Sequence, residues 1–582
     1  MEEQEGAVCS IWLGADDAKA APIPADVLEA DSASLLDKDQ TIDGVVVRSC
    51  RKGAKQVATI GPASSSDEML ERLFLCGVDV FRLNFSHGEH AEKLDLISRI
   101  RDIEEKYRHP IAILADMQGP KQRCGKFEDP GGVELKLGQL FRFDMDPALG
   151  NEKRVQLPHP EILQALEPGK DQRLLLDDGK IRMKVVRKGF LVDGEEVEDA
   201  THEGATPFVE CEVTVPGHLG ERKGVNTPDV ILPMSPITKK DREDLKFCCK
   251  HSVDWIAMSF VQKHEDMEEL RDIVVETHGR PDIRLLAKIE KPSAVDDLQN
   301  ILKACDGVMV ARGDLGVEMN PQDVPFVQKE IIQTARFQGK PVIVATQMLE
   351  TMITNPMPTR AECSDIANAI IDGCDAVMLS GESAVGKYPA EAVTMQRRVI
   401  ESAESRMDLA RAGPGSIGMD QGHSGSQLAT EAVLSSAATL AKDMKACAIV
   451  VFTATGNSAR LLAQRRPTVP ILAVCKCLEV ARQVSLIHGV YATSDSEVRL
   501  LAAKAEREDA FDKVRFSQGV EIGCRIVREF GLPTSEDDWV VVVARLPLFS
   551  QGPLNTSRLI QAGGPQKKDG YGPSDGFDAG AD

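Results

Sequence analysis

The sequence predicts an α/β protein built on a (β/α)8 TIM barrel, with an inserted β-barrel-like lid domain and a C-terminal open α/β domain. Two observations support the barrel. Eight runs of apolar and β-branched residues recur along the chain, and most are followed by a helix-like stretch, which is the pattern of a parallel barrel. The polar residues that interrupt these runs lie at the C-terminal ends of the runs, where the active sites of such barrels form.

The eight runs read, in chain order, KQVATIG, VDVFRLNF, IAILAD, DWIAMSF, IRLLAKIE, DGVMVARGD, KPVIVATQM and CDAVMLSGE. The polar residues at their ends are Arg82, Asn84, Asp116, Ser259, Lys288, Glu290, Asp314, Thr346 and Ser380. In the second run, the alternation of a strand places Phe81 and Leu83 on one face and Arg82 and Asn84 on the other. We expect the polar face to look into a shared mouth.

The first helix-like stretch, SSDEMLERLFLCG, predicts where its helix begins and ends. Ser65 stands three residues before Glu68, as in a capping box. Gly77 follows the last apolar residues, as at many helix C-termini. We expect a helix between these two signals.

The alternation of strands and helices breaks between the third and fourth runs. Residues from about 118 to 229 show short β-like segments and turns, such as RLLLDDGKIRMKVV with Asp178-Gly179 at the bend. After a Gly-rich linker, the runs ACAIVVF, VPILAVC and WVVVVARL alternate with helices. The predicted organisation is an irregular N-terminal arm (1–50), a first barrel segment (51–117), the inserted β lid domain (118–229), a second barrel segment (230–404), the C-terminal α/β domain (405–562) and a disordered tail (563–582).

The composition of the chain limits which partners it can bind and in which compartment we expect it. A chain of 582 residues needs several cores, and a net charge of -22 disfavours binding to nucleic acid or to an anionic membrane. The 14 cysteines show no paired zinc spacing, and their only close pairs are Cys248-Cys249 and Cys475-x-Cys477. The acidic first residues lack a signal-like apolar core, and no run approaches a membrane span. We expect a cytoplasmic protein with reduced thiols.

The predicted mouth has the chemistry of a site for a phosphorylated, carboxylated substrate. Glu290 and Asp314 suit a hard divalent ion such as Mg²⁺ or Mn²⁺. Arg82 can bind a phosphate through two N–H groups of its planar guanidinium, while Lys288 supplies a compact positive charge where negative charge develops. Gly313 lets main-chain N–H groups reach a carboxylate. Taken alone, the Lys288 and Glu290 pair is more typical of an ordinary ion pair.

For several other residues, the sequence allows both a structural and a functional role. Arg312 fits a structural role in a turn, and Thr346 fits a β-branched strand position. Ser364 fits a helix cap. Lys223, in ERKGVNTP, is a solvated loop lysine unless the inserted domain closes over the mouth and brings it onto nucleotide phosphates.

The longer motifs resemble the pyruvate kinase family over about residues 51 to 562. They are ATIGPASSS, FRLNFSHG, LLAKIEK, VMVARGDLGVE, PVIVATQMLETM, RKGVN and NPMPTRAECSDIANAIIDGCDAVMLSGESAVGKYP. The resemblance implies the barrel, the lid and a C-terminal effector domain. It also implies a homotetramer and phosphoryl transfer from phosphoenolpyruvate to ADP, with protonation of the resulting enolate to pyruvate.

The resemblance implies residue roles position by position. Arg82 and Lys288 bind the phosphoryl group, and Lys288 also stabilises the transition state. The implied Mg²⁺ ligands are Glu290 and Asp314. The implied carboxylate and enolate end is lined by Gly313, Asp314 and Thr346. The implied proton route runs through Thr346 with Ser364 and water behind it. The residues implied to face the nucleotide or the ion beside it are Asn84, Ser86, His87, Arg123 and Lys223.

One departure from the family pattern concerns K⁺. Many members read Asp-Thr-Lys-Gly-Pro-Glu where this chain has DMQGPK. Asn84, Ser86 and Asp116 match the K⁺ ligands, but Met117 replaces Thr and Lys121 replaces Glu. The ammonium of Lys121 would occupy the position of the ion or repel it, so our hypothesis is that catalysis does not require K⁺. The alternative is that Lys121 points into solvent and K⁺ still binds.

A second departure concerns regulation. The loop TATGNSAR resembles the phosphate loop of the family's effector site and offers Thr453, Thr455, Gly456, Asn457 and Ser458 to an anion. Ala454 stands where some sugar-bisphosphate-responsive members have Lys, and LFSQGPLNTSRL matches the effector loop only loosely. The sequence allows two interpretations of this loop, a sugar-phosphate site or an ordinary capped helix.

Two other functions compete. One is a Mg²⁺-dependent barrel lyase or aldolase acting on phosphoenolpyruvate or pyruvate, which would not explain RKGVN in an inserted lid. The other is a catalytically silent protein that senses metabolites, which would have no reason to keep Arg82, Lys288, Glu290, Asp314 and Thr346 together.

Overall fold

The computed structural model describes residues 36–42, 45–48, 50, 52–192, 195–197, 201–407, 425–505, 516–535, 537–546, 548–549 and 552–563. Its first strands, β1 (Leu36–Ile42) and β2 (Val45–Arg48), form an antiparallel ribbon where the sequence predicted an irregular arm. The Asp-Gly pair in TIDGVVV is the hairpin signal that a composition-based interpretation overlooks. The rest of the predicted arm up to residue 49 lies outside the described residues, as does the tail predicted for 563–582 apart from residue 563.

Three parallel strands begin the barrel, and two helices connect them. They are β3 (Lys55–Ile60), α1 (Asp67–Cys76), β4 (Val80–Asn84), α2 (His90–Tyr107) and β5 (Ala112–Asp116). Helix α1 begins after Ser66, whose hydroxyl accepts from the Met69 N–H, so the cap predicted at Ser65 is wrong by one residue. Consecutive serines offer neighbouring caps that the sequence cannot rank. Gly77 ends the helix as predicted, with a φ of 126°.

The chain then leaves the barrel for an inserted β domain. Its elements are β6 (Val133–Leu135), β7 (Leu140–Asp144), β8 (Arg154–Gln156), α3 (Pro160–Ala165), β9 (Arg173–Leu176), β10 (Ile181–Val192), β11 (Glu195–Val197), β12 (Thr206–Val215), β13 (Gly217–Leu219) and β14 (Val225–Asn226). Seven strands form one sheet in the order β14-β9-β10-β12-β7-β8, with β11 on β10, and β13 pairs with β6. The predicted bend at Asp178-Gly179 lies between β9 and β10. Phe141, Phe143 and Leu174 belong to a separate core of this domain.

After the insert, the chain supplies five more parallel strands to the barrel. The elements are α4 (Lys239–Lys250), β15 (Trp255–Met258), α5 (His264–Asp272), a π-helix (Ile273–Thr277), β16 (Arg284–Ile289), α6 (Pro292–Asp296), α7 (Leu298–Ala304), β17 (Gly307–Ala311), α8 (Arg312–Glu318), α9 (Val324–Phe337), β18 (Val342–Ala345), a 3₁₀ helix (Glu350–Ile353), α10 (Arg360–Asp372), β19 (Ala376–Leu379), α11 (Gly381–Ala384) and α12 (Pro389–Glu404). The barrel closes in the order β15-β16-β17-β18-β19-β3-β4-β5, which confirms the predicted fold. Inward side chains such as Val57, Leu114, Leu286 and Ile343 are fully buried.

The C-terminal domain has a five-stranded sheet in the order β22-β21-β20-β23-β24, in which only β24 is antiparallel to its neighbour. Its elements are α13 (Gly425–Asp443), β20 (Ala448–Thr453), α14 (Asn457–Gln464), β21 (Ile471–Cys475), α15 (Leu478–Val484), β22 (Val490–Thr493), α16 (Ser496–Ala505), α17 (Phe516–Glu529), β23 (Trp539–Ala544) and β24 (Thr556–Gln561). The three predicted strands are β20, β21 and β23. The sequence missed β22, which is short, and β24, which is largely polar. Within the described ranges, no helix combines the length and apolar character of a membrane crossing.

The C-terminal domain packs against the end of the barrel where the strands begin. Lys55, at the start of β3, donates to the Val490 carbonyl at 2.6 Å, and Trp255, at the start of β15, donates to the Gln483 carbonyl at 3.2 Å. The C-terminal ends of the strands therefore lie at the end of the barrel away from this domain.

Candidate active site at the barrel mouth

Four charged side chains meet where strands β4, β5 and β16 end. The Arg82 Nε donates to Asp116 Oδ2 at 2.7 Å, and the Lys288 Nζ donates to Asp116 Oδ1 at 3.2 Å. The same ammonium lies 2.8 Å from Glu290 Oε1. Their side chains are 12%, 3%, 11% and 1% exposed in the order Arg82, Asp116, Lys288, Glu290. These four side chains therefore share one small volume, in which Asp116 joins Arg82, Lys288 and Glu290.

Neutral groups hold this cluster in place. Lys288 also donates to Ser259 Oγ at 2.7 Å, and Arg82 Nη1 donates to Thr59 Oγ1 at 2.9 Å. The main-chain N–H of Phe260 donates to Glu290 Oε2 at 2.7 Å. Thr59 was missed by the sequence analysis, because a threonine inside the run KQVATIG carries no signal beyond β propensity.

Burial and neighbouring charges shift the pKa values of these groups in opposite directions. Burial favours the neutral acid of Asp116, but Arg82 and Lys288 outweigh it and hold the pKa of Asp116 below its usual value. Burial alone would lower the pKa of Lys288, but Asp116 and Glu290 raise it above the ordinary value. Burial raises the pKa of Glu290 against the opposing effect of Lys288. Asp116 and Lys288 are therefore a charged pair at neutral pH.

The two predicted metal ligands have free acceptor capacity. Glu290 Oε1 is paired with the Lys288 ammonium at 2.8 Å and accepts from no other described residue. Asp314 is exposed, and its carboxylate forms no hydrogen bond or ion pair within the described ranges. Its negative charge contributes to the raised pKa of Glu290. A hard divalent cation fits two such carboxylates and would relieve that repulsion.

The predicted carboxylate and enolate end is built from tightly packed backbone. Thr346 follows β18 with a φ of 73°, and Gln347 has a φ of 56°. A left-handed conformation costs a non-glycine residue about 1–3 kcal/mol, and β-branched residues adopt it least. A Cβ on Gly313 would lie 2.7 Å from Thr346 Cγ2, so the approach of the two residues requires glycine.

The predicted nucleotide residues are divided between two domains. Asn84, Ser86 and His87 lie at the end of β4 and in the loop after it, where Asn84 Oδ1 accepts from the Ser86 N–H at 2.9 Å. Arg123 and Lys223 belong to the insert, and each is engaged there. Arg123 Nη1 donates to the Arg222 carbonyl at 2.9 Å. Lys223 Nζ lies 2.8 Å from Asp177 Oδ1, a carboxylate that the sequence analysis did not single out.

Neither Lys121 nor Ser364 belongs to the cluster of Arg82, Asp116, Lys288 and Glu290. Lys121 lines a cleft between the barrel and the insert together with Asp314. Its side chain has no hydrogen bond or ion pair to Asn84, Ser86 or Asp116 in the part of the chain that the structure describes.

Ser364 does not cap a helix. The N-cap of α10 is Thr359, whose side chain accepts from the Glu362 N–H. Ser364 lies one turn further along, exposed, with its carbonyl and hydroxyl oxygens near the amide of Asn368. The default interpretation of Ser364 as a cap is therefore wrong, because the preceding Thr–Glu pair completes the capping box first.

The predicted effector loop is held by its own groups, by the helix that follows it and by the barrel. The Gly456 N–H donates to Thr453 Oγ1 at 3.0 Å, and Gly456 has a φ of 83° as the N-cap of α14. Asn457 Oδ1 accepts from Arg460, while the Thr455 carbonyl accepts from Arg284 at 2.9 Å. The Thr453 hydroxyl is therefore already engaged within the loop.

Comparison with known proteins identifies the family. The model described as "Pyruvate kinase, barrel domain" matches residues 51–393, and "Pyruvate kinase, alpha/beta domain" matches residues 431–560. The chain belongs to the pyruvate kinase family. It is 41% identical over 513 residues to a pyruvate kinase of Agrobacterium vitis, covering 87% of this chain and 96% of that protein. Identity to a pyruvate kinase of Methylorubrum extorquens is 42% over 482 residues, covering 82% and 94%.

A solved structure agrees with this assignment to the pyruvate kinase family. The crystal structure of a pyruvate kinase from Cryptosporidium parvum superposes with a TM-score of 0.75 at 30% identity, covering 95% of this chain and 100% of that one. The resemblance seen in the motifs is thus confirmed. The known reaction of the family converts phosphoenolpyruvate to pyruvate by phosphoryl transfer with the help of a divalent metal, so the chain is a phosphotransferase.

Substituting Gly313→Ala is expected to lower kcat/KM for pyruvate formation about 10- to 100-fold, because displacing a reacting group by up to 1 Å costs about this much. The added methyl group would meet Thr346 at 2.7 Å. Gly316→Ala is the matched control in the same helix, since its Cβ would be 3.9 Å from Val324. Steady-state kinetics of both purified variants measure the effect. Equal activity of the two variants would contradict the tight approach.

Proposed function

We propose that the chain transfers the phosphoryl group of phosphoenolpyruvate to ADP in glycolysis, giving pyruvate and ATP, at the mouth of the barrel. One observation carries the proposal. Arg82 and Lys288 converge on Asp116 within hydrogen-bond distance, beside the buried carboxylate of Glu290. This arrangement offers two cations to a phosphoryl group and an acidic ligand set to Mg²⁺, with Mn²⁺ as the alternative ion.

The proposed mechanism uses charges that are fixed before substrate binds. Arg82 and Lys288 bind the phosphoryl group, and Lys288 stabilises the charge that develops on it and on the enolate oxygen. Asp116 orients both cations, so little reorganisation is needed during the reaction. Glu290 and Asp314 would hold Mg²⁺, which supplies positive charge to the phosphoryl and enolate oxygens when bound.

The other end of the proposed site handles the carboxylate and the proton. Gly313 and Asp314 line the carboxylate, and Thr346 delivers a proton to the methylene carbon of the enolate, with Ser364 and water behind it. Arg123 and Lys223 would contact ADP as the insert closes over the mouth. Closure excludes water from the phosphoryl group. The family also supports a homotetramer as the working form.

Substituting Lys288→Met is expected to reduce kcat for pyruvate formation by at least about 10²- to 10³-fold, the usual effect of removing one donor aimed at developing charge. A lactate-dehydrogenase-coupled assay with phosphoenolpyruvate, ADP and Mg²⁺ measures it. The control is Lys303→Met, because Lys303 is exposed on α7 and, among the described residues, donates only to Asn300 at 3.5 Å. Parent protein that forms no pyruvate when ADP is supplied would refute the function itself.

We also propose that turnover does not require K⁺. Lys121 lines the same cleft as Asp314 and so brings a positive charge near the mouth. In K⁺-free and Na⁺-free buffer of matched ionic strength, the parent should keep at least about half of its turnover. Lys121→Glu should become dependent on K⁺, whereas Lys121→Gln separates loss of positive charge from gain of negative charge. If the unmodified protein loses nearly all of its turnover without K⁺, the hypothesis is refuted.

We further propose that the loop Thr453, Thr455, Gly456, Asn457 and Ser458 binds a sugar phosphate. The left-handed Gly456 at the start of the eight-residue helix α14 supports an anion at this position. A ligand at 100 times its Kd would stabilise the domain by about 2.7 kcal/mol, which is seen as a higher Tm. Ser458→Asp should abolish the shift by repulsion. If hexose and pentose phosphates leave both the Tm and the substrate saturation curve unchanged, this proposal fails.

A further inference from the structure

Arg312 holds the turn that follows strand β18. Its Nε donates to the Ala345 carbonyl at 3.1 Å, and its Nη2 donates to the Thr346 carbonyl at 2.6 Å. The side chain is 12% exposed, so these contacts form largely away from water. The sequence analysis could give Arg312 only a structural role in a turn.

The charge of Arg312 is matched by Asp365 on α10. Nη1 donates to Asp365 Oδ1 at 2.7 Å, and Nη2 lies 2.7 Å from Asp365 Oδ2. This two-point geometry fixes the plane of the guanidinium, as a lysine ammonium could not. Asp365 directly follows Ser364, so the pair also links α10 to the turn that carries Thr346.

The conformation of Thr346 depends on these contacts. A β-branched residue does not adopt a φ of 73° unless its surroundings require it. Arg312 supplies hydrogen bonds to two successive carbonyls at this turn, and its neighbour Gly313 packs against the Thr346 methyl group. The backbone that carries the Thr346 hydroxyl is therefore held from the Arg312 side.

The phosphoryl end of the site is held independently. Arg82 and Lys288 are both fixed by Asp116. Within the described ranges, no hydrogen bond or ion pair joins Arg312 or Asp365 to these three residues. A change at the Arg312–Asp365 pair should therefore affect the two ends of the site unequally.

We infer that Arg312 and Asp365 are positioning residues for proton transfer between Thr346 and the enolate, and that they act through Thr346 without touching the substrate. In the forward direction a C–H bond forms at the methylene carbon as the donor O–H bond breaks, and solvent restores the proton. In the reverse direction a methyl proton of pyruvate passes to the same group. This inference rests on the proposed function.

The test compares proton exchange with turnover in Arg312→Lys and Asp365→Asn. Proton NMR follows exchange of the pyruvate methyl protons with D₂O in the presence of enzyme, ATP and Mg²⁺, and a coupled assay follows pyruvate formation. Exchange needs the enzyme to deprotonate bound pyruvate. Forward turnover can be completed by ketonisation of released enol in solution. Exchange should therefore fall at least about tenfold further than turnover, with KM for phosphoenolpyruvate within about threefold of the parent.

Asp372→Asn is the control for loss of a carboxylate on α10. Asp372 lies two turns further along, pairs with Lys329, and reaches Arg312 only indirectly, through Gln328, which accepts from Arg312 Nη1 at 3.4 Å. Its ratio of exchange to turnover should equal that of the parent. A merely structural role of Arg312 and Asp365 would lower exchange and turnover in proportion, and that result overturns the inference. Failure of the parent to form pyruvate would instead refute the proposed function, so the two failures are distinguishable.

Discussion

The active site depends on the buried carboxylate of Asp116 between two cations. Without it, the guanidinium of Arg82 and the ammonium of Lys288 would repel one another in a poorly solvated volume. The barrel makes this arrangement possible, because β4, β5, β15 and β16 are successive neighbours in the closed sheet. Their ends supply Arg82, Asp116, Ser259 and Lys288 along one continuous arc. The cluster that we propose to bind the phosphoryl group is therefore assembled by the backbone hydrogen bonding that closes the barrel.

Much of this arrangement could be predicted from sequence, because it follows from the regular recurrence of apolar runs and from the position of the polar residues at their ends. Eight runs with polar residues at one end leave few alternatives to a parallel barrel, and parallel closure forces these ends together. The prediction was weaker where local signals competed. Adjacent serines left the cap of α1 ambiguous by one residue, and the ribbon β1–β2 was hidden by its charged composition.

The features of the site that could not be predicted depend on long-range packing. Thr59 and Asp177 support the cluster and the insert, but neither stands in a motif that separates it from ordinary strand or turn residues. The left-handed Thr346 and the fork between Arg312 and Asp365 join segments far apart in the chain. Their partners follow only from the strand register and from where α10 packs.

The insert contributes no strand to the barrel, since β5 pairs directly with β15. The mechanical integrity of the cylinder is therefore independent of the excursion between these strands, which has its own apolar core. Over evolutionary time such a module can be lengthened, trimmed or exchanged without disturbing the catalytic frame. Changes in the insert, where Arg123 and Lys223 lie, are thus separable from the charged cluster at the strand ends.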